Sequence, residues 1–217
     1  MKNTAIKVLL FGAVLAPAVV YGQSSGPTTA TIITKEMIDT ISKQIQDRPT
    51  VDENAMVVDL GYEHFSVGVI HRGSTRNPPA RAAGAAAPAG PPPEPCGRQM
   101  ASVPADAIPG GITHDFQTEA YYIIGGAGTA FVDGYIVNGR KSPMAAPGGP
   151  NGPTCGGASV GSHKVELKPG DIMIAPPNTV HGWADIPDHV EYLSFRPSQQ
   201  VMQAGWVNPR IEAMVKK

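Results

Sequence analysis

Several things are scarce in this chain of 217 residues, and each scarcity closes a class of function. Lys and Arg number 17 against 18 Asp and Glu, with no long run of either sign, so there is no electrostatic footprint for DNA, RNA or an anionic membrane surface. Aromatic residues make up 6% and charged residues 16%. The sequence holds no nucleotide fingerprint, phosphate loop or nucleophilic triad motif. No apolar run reaches the roughly 20 residues that a bilayer-spanning helix needs. The partner this leaves is a small molecule, with no nucleic acid and no membrane anchor.

Cysteine is scarce too: Cys96 and Cys155 are the only two. Both sit in Pro/Gly-rich stretches that read as loops, and neither belongs to a paired-cysteine motif. In an oxidising compartment they would form a disulfide. The beginning of the chain supports such a compartment. Lys2 and Lys7 form a positive region, Val8 to Ala16 a short apolar core, and Gly22 a small-residue end, so residues 1–22 read as a secretory signal. The expected location is periplasmic or secreted.

Glycine and proline, by contrast, are plentiful, with 25 and 22 residues. They concentrate in two tracts, 77–95 and 143–157, too poor in bulky apolar groups to build a core, and these read as external insertions. Residues 23–33 read as a disordered start to the mature chain. Over 34–49, Met37, Ile38, Ile41 and Ile45 recur at helical spacing until Pro49 stops them, which predicts an amphipathic helix. From residue 55 to 197 the pattern is β: short Val/Ile-rich segments separated by turn residues. Asp133-Gly134 suits the φ > 0 positions of a type I′ turn and predicts a hairpin there. The tail, 198–217, is expected to end in a short helix with Pro209 in its first turn. One all-β domain, a sandwich or barrel, is the reading.

Two segments of that β region carry chemistry. His114 and Glu119 lie in one, and His181 ends the other, Gly170 to His181. Two imidazoles with a carboxylate suit a divalent transition metal, namely Fe, Mn, Zn, Ni or Cu, and leave coordination positions open. These segments resemble the two motifs of the cupin superfamily. His114, Glu119 and Gly126 fall on the second histidine, the glutamate and the closing glycine of the first motif. Gly170, Pro176 and His181 fall on their places in the second. Three positions depart from the pattern: Ile112 stands where the first histidine would be, Asn178 replaces a glycine, and Asp185 replaces the final asparagine. Asn is the mildest replacement, since it tolerates left-handed backbone better than other non-glycine residues.

The resemblance implies a cupin double-stranded β-helix, a jelly-roll barrel, with His114, Glu119 and His181 as metal ligands. It implies a metal-dependent small-molecule enzyme, an oxygenase, decarboxylase, lyase or isomerase, or alternatively a non-catalytic secreted protein that binds a sugar, a carboxylate or the metal. Many cupins are dimers, which makes a homodimer an option. Around the ligands, His71 shares a strand face with Phe65, Val67 and Val69 and is a candidate acid/base or replacement ligand. Arg196 is a candidate for orienting an anionic substrate through its bidentate fork. Tyr121, Trp183 and Tyr192 flank the ligands on strands, and alternation must aim some of them inward.

Overall fold

The computed structural model describes residues 29–45, 48, 50–76, 93–142 and 149–215. The signal-like segment, most of the 77–95 tract and the first part of the 143–157 tract lie outside the described residues. One helix, α1 (Lys35–Ile45), is followed by twelve strands: β1 (Thr50–Asp59), β2 (His64–Gly73), β3 (Pro95–Cys96), β4 (Ile108–His114), β5 (Glu119–Gly126), β6 (Gly128–Val132), β7 (Tyr135–Ser142), β8 (Thr154–Val160), β9 (His163–Leu167), β10 (Ile172–Ala175), β11 (His181–Asp185) and β12 (His189–Ser198).

The strands form two antiparallel sheets that face each other as an all-β jelly roll, ordered β1-β2-β12-β5-β10 and β3-β7-β8-β4-β11-β6-β9. Alternation sorts side chains between the space enclosed by the sheets and the outside. On β2 the even residues turn inward: Ile70 joins Tyr121, Ile123, Met173, Val190 and Tyr192 in the central apolar cluster. The odd residue Val69 faces outward and packs with Met37, Ile41 and Ile45 of α1. Those three positions recur at i, i+4 and i+8, so one helix face covers the sheet. The Thr34 hydroxyl starts α1 by accepting the Met37 N–H at 3.3 Å.

Four expectations change at this level. The 143–157 tract is not loop throughout, because β8 begins at Thr154 and pairs with both β4 and β7. Its glycines admit the crowded neighbours: a Cβ on Gly157 would lie 2.8 Å from the Gly139 backbone. Both cysteines therefore sit on strands, and Cys96 of β3 is joined to Cys155 of β8 by a disulfide. The tail ends as a single 3-10 turn, Glu212–Met214, rather than an α-helix.

The Asp133-Gly134 turn has the expected backbone, with φ of 66° and 79°, but it does not close a hairpin. β6 pairs with β11 and β9, while β7 pairs with β8 and β3, so three strands lie between them in the sheet. Local turn chemistry set the conformation, and long-range pairing set the topology.

Candidate metal centre

Three strands and one turn deliver the candidate ligands. His114 ends β4, Glu119 begins β5, and His181 begins β11, where it pairs in register with Ile112 of β4. The turn before β11 is fixed from the other side: Asn178 adopts a left-handed φ of 64° and its N–H donates to the His114 carbonyl at 2.8 Å. That bond ties the end of one ligand strand to the start of the other. The glycine closing the first motif is equally constrained. Gly126 has φ of 63°, and a Cβ there would stand 2.0 Å from the His189 carbonyl oxygen.

His114, Glu119 and His181 are 1–2% exposed, and they offer ligand atoms that lie within 4.8 Å of one another. Glu119 Oε2 is the focus: His114 Nε2 is 3.0 Å and His181 Nε2 2.9 Å away. The far nitrogens decide what these contacts mean. His181 Nδ1 lies 3.0 Å from the Thr179 carbonyl oxygen, which can only accept, so Nδ1 carries the proton. The Thr154 hydroxyl donates to the Gly152 carbonyl at 3.0 Å, which leaves its lone pairs to accept from His114 Nδ1 at 2.8 Å.

A neutral ring protonated at Nδ1 has a bare Nε2. Two rings in that form turn lone pairs on a carboxylate oxygen, an arrangement that repels unless a cation sits among them. A divalent metal ion meets that demand, and added protons are the other way to meet it. The donor set, two Nε2 atoms and one carboxylate oxygen with the outer nitrogens held by acceptors, fits a transition metal site with its supporting hydrogen bonds in place.

The second carboxylate oxygen is committed elsewhere. Oε1 accepts from Ser194 Oγ at 3.0 Å and from Arg196 Nε and Nη2 at 2.9 and 2.8 Å. Burial alone would push the Glu119 carboxyl up, but the Arg196 charge holds it well below its ordinary value of 4.5. Tyr121 donates to Oε2 at 3.3 Å, and burial together with the Glu119 charge pushes its phenol well above the ordinary 10.0. Tyr121 is therefore a neutral donor here.

Of the other candidates read from the sequence, Arg196 is brought to the ligands and His71 is not. Arg196 is wholly buried and its guanidinium is occupied: besides Glu119, Nη2 reaches both Asp52 oxygens at 2.8 Å and Nη1 reaches Asn54 at 3.1 Å. It orients Glu119 rather than a guest molecule. His71 does share its face with Val69, yet that is the outward face. Its Nδ1 is 3.2 Å from Glu191 Oε1 and its ring stacks on His189 at 5.9 Å. Tyr121, Trp183 and Tyr192 all turn inward and form an aromatic cluster, Tyr121 lying parallel to Trp183 at 6.4 Å and 4.2 Å from Tyr192.

Beside this cluster lies a cavity of about 360 Å³ whose walls include Arg72, Ser74, Ile112, Tyr121, Trp183 and Ile186. Ile112 and Tyr121 are its boundary toward the ligands. Sequence reasoning missed Arg72, Thr154, Ser194, Asp52 and Asn54. For Arg72 and Ser194 a signal was present, since Arg72 directly follows His71 and so takes the opposite face, and Ser194 lies two residues before Arg196 and shares its face. Asp52 and Asn54 precede a bulge between Asn54 and Met56 that breaks the alternation of β1, and Thr154 lay inside a tract read as loop.

No family model matches the sequence, and no curated protein matches it. Among solved structures the chain is similar to the DMSP lyase DddQ from Ruegeria pomeroyi DSS-3, at 10% identity over 85% of this chain and 61% of that one, with a TM-score of 0.36. It is similar to a structure described as DMSP lyases RdDddP and RnDddQII at 12% identity, 66% and 44% coverage and a TM-score of 0.29. Peruvianin-I, a cysteine peptidase from Thevetia peruviana latex, matches at 10% identity, 95% and 90% coverage and a TM-score of 0.33. The chain spans about three fifths of the first of these. Likenesses this distant leave fold and site to stand on the chain's own strands and side chains, which define an antiparallel jelly roll with a buried two-histidine, one-carboxylate cluster.

Proposed function

We propose that the protein is an exported, metal-dependent small-molecule enzyme of the cupin kind, with His114, Glu119 and His181 holding one divalent transition metal ion. The observation that carries this reading is the pair of fixed tautomers: Thr179 and Thr154 hold the Nδ1 protons, so both Nε2 lone pairs and Glu119 Oε2 converge on one point. An ion bound there would supply Lewis-acid chemistry or, for Fe, Mn or Cu, redox chemistry. The chain's own part is to keep Glu119 ionised through Arg196, to exclude water from the ligands, and to place the Tyr121 hydroxyl between the ligands and the cavity.

Within that reading the reaction is an oxygenase, decarboxylase, lyase or isomerase step on a small substrate taken up in the cavity beside Tyr121. The Cys96–Cys155 disulfide supports an extracytoplasmic location. Among the described residues no helix is long and apolar enough to cross a membrane. The alternative, a secreted binding protein without turnover, uses the same metal site and cavity.

Elemental analysis of the purified protein, and of protein stripped and reconstituted with Fe, Mn, Zn, Ni and Cu in turn, tests the centre. One transition metal per chain in the wild type and loss of it in His114→Ala are expected. A wild type that stays empty with every metal overturns the reading, and a loaded protein inactive on carboxylates, sugars and phenols, with and without dioxygen, favours the binding protein.

A further inference from the structure

Among the described residues the cavity beside the cluster has one charged wall residue, Arg72, and no Asp or Glu. Arg72 lies on the inward face of β2, between Ile70 of the core and the end of the strand. Its Nε donates to the Tyr192 hydroxyl at 3.3 Å, which fixes the plane of the guanidinium. Among the described residues no carboxylate lies within ion-pair distance of it: Asp52, which does act on its charge, is held by Arg196 through both oxygens at 2.8 Å. A half-buried cationic fork that opens on a cavity and has no ion-pair partner is what an anion would complete.

We propose that this cavity binds a small monocarboxylate, with Arg72 taking the carboxylate in its fork and the aromatic and aliphatic walls, Trp183, Ile112 and Ile186, packing against an apolar body. The class follows from charge and shape. One planar guanidinium matches a carboxylate in a bidentate pair, whereas a phosphate dianion beside a single cation would keep an uncompensated charge in a largely apolar cleft. With Arg72 as the charged side chain among its described walls, the cavity disfavours cations. The volume, about 360 Å³, lies at the small end of ligand sites and limits the guest to a compact molecule. Tyr121 joins cavity to cluster, since its ring lines the cavity while its hydroxyl reaches Glu119 Oε2 at 3.3 Å. As the substrate class of the proposed metal centre the inference rests on that reading, but the binding step itself requires no ion.

The test follows Trp183 fluorescence in a Trp206→Phe background, so that one indole reports, with both metal-stripped and metal-reconstituted protein. Benzoate and butanoate are titrated against their neutral amides, benzamide and butanamide, and against phenyl phosphate. Saturable quenching by the carboxylates, little response to the amides or to phenyl phosphate, and an affinity lowered about tenfold or more in Arg72→Gln are expected, since a charge-assisted fork is lost. Arg72→Lys keeps the charge without the fork and should fall between. Amides binding as well as acids, phenyl phosphate binding as well as benzoate, or an Arg72→Gln protein of unchanged affinity overturns the proposal. The acid-against-amide comparison needs no variant, so a poorly folding Arg72→Gln leaves the proposal exposed to refutation. Carboxylate binding by a chain that takes up no metal would sink the metal centre alone, and metal uptake without carboxylate binding would sink this inference alone.

Discussion

Arg196 donates twice to a single oxygen of Glu119, through Nε at 2.9 Å and Nη2 at 2.8 Å, and so divides the carboxylate into two halves with different duties. Oε1 is tied to Arg196 and Ser194; Oε2 is left facing both imidazoles. A glutamate free to rotate would blur that division. Here the arginine is itself anchored by Asp52 and Asn54, so a chain of charge-assisted bonds runs from β1 through β12 to the ligand on β5.

Removing the arginine should therefore be felt in stability before anything else. Arg196→Met would leave both Glu119 and Asp52 without their countercharge, and breaking a buried ion pair from one side costs about 3–5 kcal/mol. Urea unfolding of metal-free protein should show that loss. A change within experimental scatter would mean that water, rather than Arg196, compensates the Glu119 charge.

Acid should expose the same coupling. The carboxyl of Glu119 is lowered in the folded protein relative to its ordinary 4.5, so its contribution to stability is fully present above that pH. It is lost progressively as the pH falls below 4.5 toward the lowered folded value. Glu119→Gln should then be less stable than wild type near neutrality, with the gap narrowing on acidification. Unfolding free energies measured without metal across that range check the sign; a gap that widens in acid contradicts it.

The acceptor behind His114 gives a separate handle on the metal. Thr154→Val keeps the side-chain shape but removes the oxygen that accepts from His114 Nδ1 at 2.8 Å. Loss of such an outer partner lowers metal affinity by about 10–100-fold. Competition against a chromophoric chelator should register that drop with the ion still bound at high concentration, whereas undiminished affinity would show that ring packing alone holds the tautomer.

How much of this was legible in the sequence depended on distance along the chain. His114, Glu119 and His181 were readable because motif spacing and turn glycines mark where strands begin and end, and the structure brings them together. His71 shows the limit of alternation: Val67, Val69 and His71 do share a face, but a period of two says nothing about which face is inside. The covering helix α1 decides that, and its docking is a long-range event. The inward partner, Arg72, was one residue away. Arg196 was readable as a core-facing cation in need of a partner, but not its partners, because Asp52 and Asn54 lie 144 and 142 residues earlier. Thr154 was hidden by composition, since a strand rich in glycine looks like a loop until its neighbours supply the pairing.

The disulfide should matter to the fold and little to the ligands. Cys96 and Cys155 are 59 residues apart, and closing a loop of that size stabilises by about 4 kcal/mol in the chain-entropy account. Reduction, or a Cys96→Ser/Cys155→Ser pair, should lower the unfolding free energy by up to that amount. The folded, reduced protein should retain its metal stoichiometry, because none of the three ligands is on the bridged strands β3 and β8. Metal lost at a reductant level that leaves the protein folded would show that Thr154, next to Cys155, depends on the bridge for its position.

Gly68 tests whether the space around Arg196 is as tight as the hydrogen bonds imply. It lies on the inward face of β2, where an added Cβ would stand 2.5 Å from Arg196 Nη1 and 3.2 Å from its Cζ. The guanidinium cannot retreat without releasing Asn54, Asp52 or Glu119, since all three bonds fix its plane. Gly68→Ala should therefore destabilise by about 1–3 kcal/mol, the range for overpacking a filled core, although alanine is otherwise better than glycine in a strand. Combining it with Arg196→Met, which removes the clashing group, should give less than the sum of the two losses. Thermal or urea unfolding of the two single variants and the double variant measures that coupling, and strict additivity would show that the glycine serves some neighbour other than the arginine.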